Sequence, residues 1–123
     1  MSSDEAVEIT KEIEILGENW TIHFRDEDPC FEKSRGYTNY ATREIVVENV
    51  KETDDPLDFD MQSQYIDQKR VLRHEIVHAF LMESGLDENS NSCDGWALNE
   101  EMVDWFARQS PKIFRVYNKL KIL

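Results

Sequence analysis

Two segments near the start of the chain alternate apolar and polar residues with a period of two. That alternation constrains the fold more than any other feature. Residues 7–16 (VEITKEIEIL) do so, and residues 20–24 (WTIHF) put Trp20, Ile22 and Phe24 on one face. A half-buried strand needs this pattern, whereas a helix of the same residues would scatter them round its axis. Gly17, Glu18 and Asn19 lie between the segments and are turn formers, so a β-hairpin is predicted. His23 falls opposite Trp20 and Phe24 and is expected to face solvent. After an irregular stretch around Pro29, residues 37–50 read as strand again, ending in the β-branched run Ile45, Val46, Val47.

The period then changes. Residues 52–60, acidic and containing Pro56, form a loop. From about Met61 to Ser84 the pattern is helical, and Gly85 follows as a helix-terminating residue. A loop rich in Asn, Ser and Asp covers 87–95. A second helix is predicted from about Trp96 to Gln109, with Trp96, Trp105 and Phe106 as its core residues. Ser110 and Pro111 should end it and open a short third helix, because proline is tolerated in a first turn. Strands come first and helices after, which predicts an α+β domain over residues 1–123. It would have a small, mainly antiparallel sheet with helices on one face. At 123 residues and 40% hydrophobic, the chain can fill one core and not two.

Charge removes several functions. The net charge of −12 opposes general nucleic-acid binding, which depends on neutralising phosphates. No apolar run approaches the ~18 residues of a membrane span. The start, MSSDEAVEIT, has neither the basic opening nor the apolar core of a secretory signal, so a cytoplasmic location is expected. Cys30 and Cys93 form no CxxC pair and are expected as free thiols. The charge is uneven: residues 111–123 carry +4 (Lys112, Arg115, Lys119, Lys121) and the preceding residues −16. A solvated helix face that balances an acidic body is the expected reading of that tail.

The first long helix contains His74, Glu75, Ile76, Val77 and His78, an HExxH motif. At 100° per residue, His78 lies about 40° round from His74 and Glu75 about 100° round. Two imidazoles one turn apart can hold a tetrahedral zinc, and a glutamate between them can reach a water at the metal. The flanking residues Val71, Val77, Leu81 and Met82 place the motif among apolar neighbours. Two histidines and a glutamate are costly there unless something satisfies them. A catalytic zinc takes a third protein ligand. No histidine follows the motif, which leaves Cys93 and the acids Asp87, Glu88, Asp94, Glu100, Glu101 and Asp104. Glu83 sits on the same helix about 180° from His74 and should face away. On a wheel of the second helix, Glu100 shares the side of Val103 and Ala107, with Asp104 beside it. Glu101 falls near Arg108, on the side expected to face solvent.

HEIVH followed by NEEMVD (residues 99–104) resembles the gluzincin arrangement of zinc metallopeptidases. The segment 100–107 (EEMVDWFA) also resembles the small ImmA/IrrE-like peptidases of phages, mobile elements and stress regulators, with Val103 in place of their usual alanine. The resemblance covers roughly residues 70–107. It implies a minimal zincin-like fold and a zinc-dependent peptidase acting on a peptide or protein. It implies Glu75 as the general base and His74, His78 and Glu100 as metal ligands. Asp104 would support one ligating histidine and Asn99 the other. Tyr40, Tyr65, Tyr117 and His23 are the chemically capable candidates for stabilising an oxyanion. The competing expectation is a zinc-stabilised binding module without turnover, which would have no need of Glu75.

Overall fold

The computed structural model describes residues 8–86 and 99–123. Strands β1 (Glu8–Ile15) and β2 (Glu18–Arg25) form the expected hairpin, antiparallel, with Ile13 opposite Trp20. Its turn is tighter than the sequence suggested. Leu16 and Gly17 both take positive φ (51° and 87°), a two-residue connection whose twist matches the strands, so Glu18 and Asn19 already belong to β2.

Residues 37–50 make two strands rather than one. β3 (Gly36–Asn39) and β4 (Glu44–Glu48) pair antiparallel across a turn at Tyr40–Arg43. The sheet order is β1-β2-β4-β3, and β4 runs parallel to β2. The sheet is therefore mixed, with two antiparallel pairings and one parallel one. The central place of β4 follows from its composition: Ile45, Val46 and Val47 are all buried, on alternating faces, which only an interior strand permits. His23 occupies the predicted face but not the predicted setting. Its side chain is 14% exposed, held between Glu8 (Nδ1 at 2.8 Å) and Glu44 (Nε2 at 2.6 Å).

Helix α1 (Phe59–Glu83) is capped by the Asp58 carboxylate, which accepts from Met61 N–H, and ends at Ser84 with Gly85 at positive φ. It lies across β3 and β4, where Val71 and Ala79 join Trp20, Ile22, Phe24, Ile45 and Val47 in the main core. Val77 and Leu81 pack instead against Met102 and Val103 of helix α2 (Glu100–Lys119). The architecture is α+β.

Pro111 does not break α2. A helical proline orphans the carbonyl four residues before it, here Ala107. Arg73 of α1 donates its Nε–H to that carbonyl at 2.6 Å, so the helix runs on to Lys119 and no separate third helix forms. Trp105, expected in the core, is 57% exposed, while Val103 and Ala107 are fully buried. Trp96 lies outside the described residues.

Gly36 lets α1 approach the sheet. A Cβ there would stand 2.8 Å from Val71 Cγ1 and 3.1 Å from the Val46 carbonyl oxygen. Gly36→Ala should cost about 1–3 kcal/mol through overpacking. Urea denaturation measures this, and an unchanged midpoint would show that the helix can ride higher without penalty.

At the far end of α1, Glu83 ties the helix to the sheet. Its carboxylate accepts from Trp20 Nε1 at 2.9 Å, from Arg43 and, at 3.4 Å, from the Tyr40 hydroxyl. As predicted, Glu83 points away from His74. The Arg43 guanidinium, helped by Trp20, holds this carboxyl below its usual range. The unfolded chain therefore takes up the proton first as pH falls. The stabilisation is full above about pH 4.5 and is lost as pH drops through the lowered folded value. Glu83→Gln should be destabilised relative to wild type at neutral pH, with the gap closing in acid. A gap independent of pH would mean the carboxylate's charge contributes nothing.

Candidate metal centre

Glu75 continues the buried stripe of α1 that starts at Val71, so it points at the sheet, whereas His74 and His78 turn toward α2. Asn99 starts α2 at the right place. Its side-chain oxygen accepts from Met102 N–H at 2.8 Å, capping the helix and setting Glu100 in its first turn. Glu100 then reaches across to both histidines: Oε2 is 3.0 Å from His74 Nε2, and Oε1 is 2.8 Å from His78 Nε2. The two Nε2 atoms are 3.2 Å apart.

These three residues could hold a metal ion. Donors about 2.0–2.1 Å from a tetrahedral zinc stand about 3.3 Å from one another, close to the separations here. The donor set, two imidazole nitrogens and one carboxylate on an open side, is of a kind that zinc takes. The Glu100 side chain is 69% exposed. Asp104 sits one turn further along α2, with Oδ1 3.4 Å from His74 Nδ1. An acceptor there favours a proton on Nδ1 and turns the Nε2 lone pair toward the other two donors. Asp104 is itself clamped by Arg108 at 2.7 Å and Arg70 at 3.0 Å. The Arg108 guanidinium first, with His74 and Arg70 adding, keeps its carboxyl below the usual range, hence ionised.

Glu75 is 8% exposed. Its Oε1 lies 2.8 Å from the Thr38 hydroxyl of β3, which also lies 3.0 Å from the Glu75 carbonyl oxygen. Burial pushes the Glu75 pKa up, while Thr38 and the neighbouring histidines pull the other way. Glu75, Thr38, both histidines and Glu100 line one open recess of about 310 Å³.

No protein-family model, curated protein or solved structure matches this chain. The site rests on its own geometry.

Five sequence-predicted residues thus meet here: His74, Glu75, His78, Glu100 and Asp104. Asn99 does not support a histidine, because its carboxamide oxygen is committed to the α2 cap. Glu101 is exposed, as the wheel required, but Arg108 pairs with Asp104 four residues before it rather than with Glu101. Cys93, Asp87, Glu88 and Asp94 lie outside the described residues. Cys30 is a free, exposed thiol. The four oxyanion candidates go elsewhere. Tyr40 reaches Glu83, His23 sits between Glu8 and Glu44, Tyr65 lies under Lys69, and Tyr117 packs on Phe114. Sequence reasoning missed Thr38 and Arg70. Arg70 was findable, since it stands one turn before His74 on the same helix face. Thr38 was not, because its role depends on which strand lies beside α1.

Proposed function

We propose that this protein is a zinc-dependent metallopeptidase in which His74, His78 and Glu100 hold the metal and Glu75 is the general base. The supporting observation is the pairing of a convergent two-histidine, one-carboxylate donor set with a separate buried carboxylate that lines the same recess. A bound zinc supplies Lewis acidity, which acidifies a water and polarises a carbonyl.

The chain's own groups supply the remainder. Glu75, with its proton affinity raised by burial, takes the proton of the attacking water and passes it to the leaving amine. Thr38 holds the Glu75 carboxylate against β3 through Oε1, leaving Oε2 for the proton. Asp104 orients His74. β3 is an edge strand next to α1, so its free side suits an extended peptide added by backbone hydrogen bonds. The acidic body fits a peptide or protein substrate and not a nucleic acid. Among the described residues, no helix is long and apolar enough to cross a membrane.

Elemental analysis and a zinc titration, followed by incubation of the loaded protein with unfolded casein and mass spectrometry of the products, test the proposal. One zinc per chain and chelator-sensitive cleavage support it. No metal uptake overturns it. Zinc uptake with no cleavage of casein or of a mixed peptide library overturns the catalytic part in favour of a zinc-stabilised binding module.

A further inference from the structure

For a chain at −12, one concave surface has the opposite character. Between the first half of α1 and the middle of α2 lies a recess of about 510 Å³, within the ~300–1,000 Å³ typical of ligand sites. Arg35, Arg70, Arg73, Arg108 and Lys112 line it, and Asp67 is the single acid among its lining residues.

Three of these cations already have carboxylates. Arg35 meets Asp67 and Glu48, Arg70 meets Asp67 and Asp104, and Arg108 meets Asp104. Among the described residues, Arg73 and Lys112 are placed against none. The Arg73 side chain makes one hydrogen bond among the described residues, from its Nε to the Ala107 carbonyl, the group that Pro111 orphans. The guanidinium is thus fixed by the backbone while its charge stays unmatched. An incoming anion would supply the counter-charge that Arg73 and Lys112 lack.

The recess is not isolated. A smaller one of about 190 Å³ shares Arg35 and Arg70 with it, and shares His74 and Glu75 with the metal recess. The cationic recess and the metal recess are thus neighbours along α1 and α2, with the smaller one between them.

We propose that the cationic recess binds the side-chain oxyanions, carboxylate or phosphoryl, of an acidic peptide segment that flanks the bond presented to the metal centre. The arginine forks suit either group by bidentate contact. The binding half stands on the recess alone. The substrate half rests on the metallopeptidase reading.

Fluorescence anisotropy with the full chain in chelator tests the binding half. The probes are fluorescein-labelled peptides carrying a run of glutamates, of glutamines or of phosphoserines in one neutral frame. The glutamate peptide should bind at least about tenfold more tightly than the glutamine one, and Lys112→Gln and Arg73→Gln should each lose about tenfold, the effect of one charge-assisted contact. Lys112 is exposed, so its replacement leaves the fold intact. Lys119→Gln, on the same helix outside the recess, should change nothing. Tighter binding of phosphoserine identifies a phosphoryl source, and tighter binding of glutamate a carboxylate source. Equal binding of the glutamate and glutamine peptides, or equal losses in Lys119→Gln and Lys112→Gln, overturns the proposal. Cleavage by zinc-loaded protein separates the two readings. If a neutral peptide is cut as efficiently as an acidic one, the substrate half falls and the peptidase stands. If acidic peptides bind but no zinc is taken up, the peptidase and the substrate half fall and the recess stands.

Discussion

Glu100→Ala should lose zinc affinity by about 10²–10³, Asp104→Ala by about 10–100, and Glu101→Ala by almost nothing. The first figure comes from dividing the about 10–16 kcal/mol of a fully ligated zinc site among its protein ligands, which puts one ligand near 3–4 kcal/mol. Glu100 spans both imidazoles, so its loss leaves two donors on one helix and nothing opposite them. Asp104 touches the assembly only through His74 Nδ1, and its removal frees that ring to turn without deleting a ligand. Glu101 is one residue from Glu100 and 100° round the helix, in solvent. Competition titrations with a chromophoric chelator resolve all three. If Glu101→Ala loses the metal and Glu100→Ala keeps it, α2 sits rotated from the orientation described. If neither loses it, the third ligand is some other group.

Glu75→Gln should keep zinc bound yet lower peptide cleavage by about 10²–10⁴, the usual contribution of a positioned general base. The amide preserves the acceptor that Thr38 uses, so the carboxylate's shape and its hydrogen bond survive while its basicity does not. Folding should not suffer. A carboxylate 8% exposed, with its pKa raised by burial, is an unfavourable charge to keep in the folded state. Glu75→Gln should therefore melt at the wild-type temperature or above, the signature of a group held for chemistry at the expense of stability. Paired measurements of turnover and thermal unfolding check this. Wild-type cleavage in the variant would remove Glu75 from the reaction. A large drop in melting temperature would instead make it a structural hydrogen-bonding residue.

Local chemistry made much of this protein legible. The period-two alternation gave β1 and β2, because strands show alternate side chains to opposite faces whatever lies beyond them. The helical period and the terminating Gly85 placed α1 to within two residues. The HExxH spacing brought His74 and His78 onto one arc, and the wheel separated Glu100 from Glu101. All of these depend on angles fixed within one element.

Errors arose where a second element supplied the deciding partner. Pro111 reads as a helix break until Arg73, 38 positions earlier, donates to the carbonyl that the proline orphans. His23 reads as solvent-facing until Glu44 arrives on a parallel neighbour from beyond two turns. Asn99 can serve either a histidine or a helix N-terminus, and the nearby Met102 N–H took it.

The sequence by itself determined the elements and, within each, the direction of the side chains that could bind a metal or move a proton. Only the tertiary structure decided that Glu100 faces both histidines, that Thr38 on the edge strand holds Glu75, and that five cations of an acidic chain line one recess. The reason is physical. Backbone sterics and helical pitch act over a few residues, whereas a carboxylate and an imidazole 26 positions apart meet only after the apolar faces of α1 and α2 have packed.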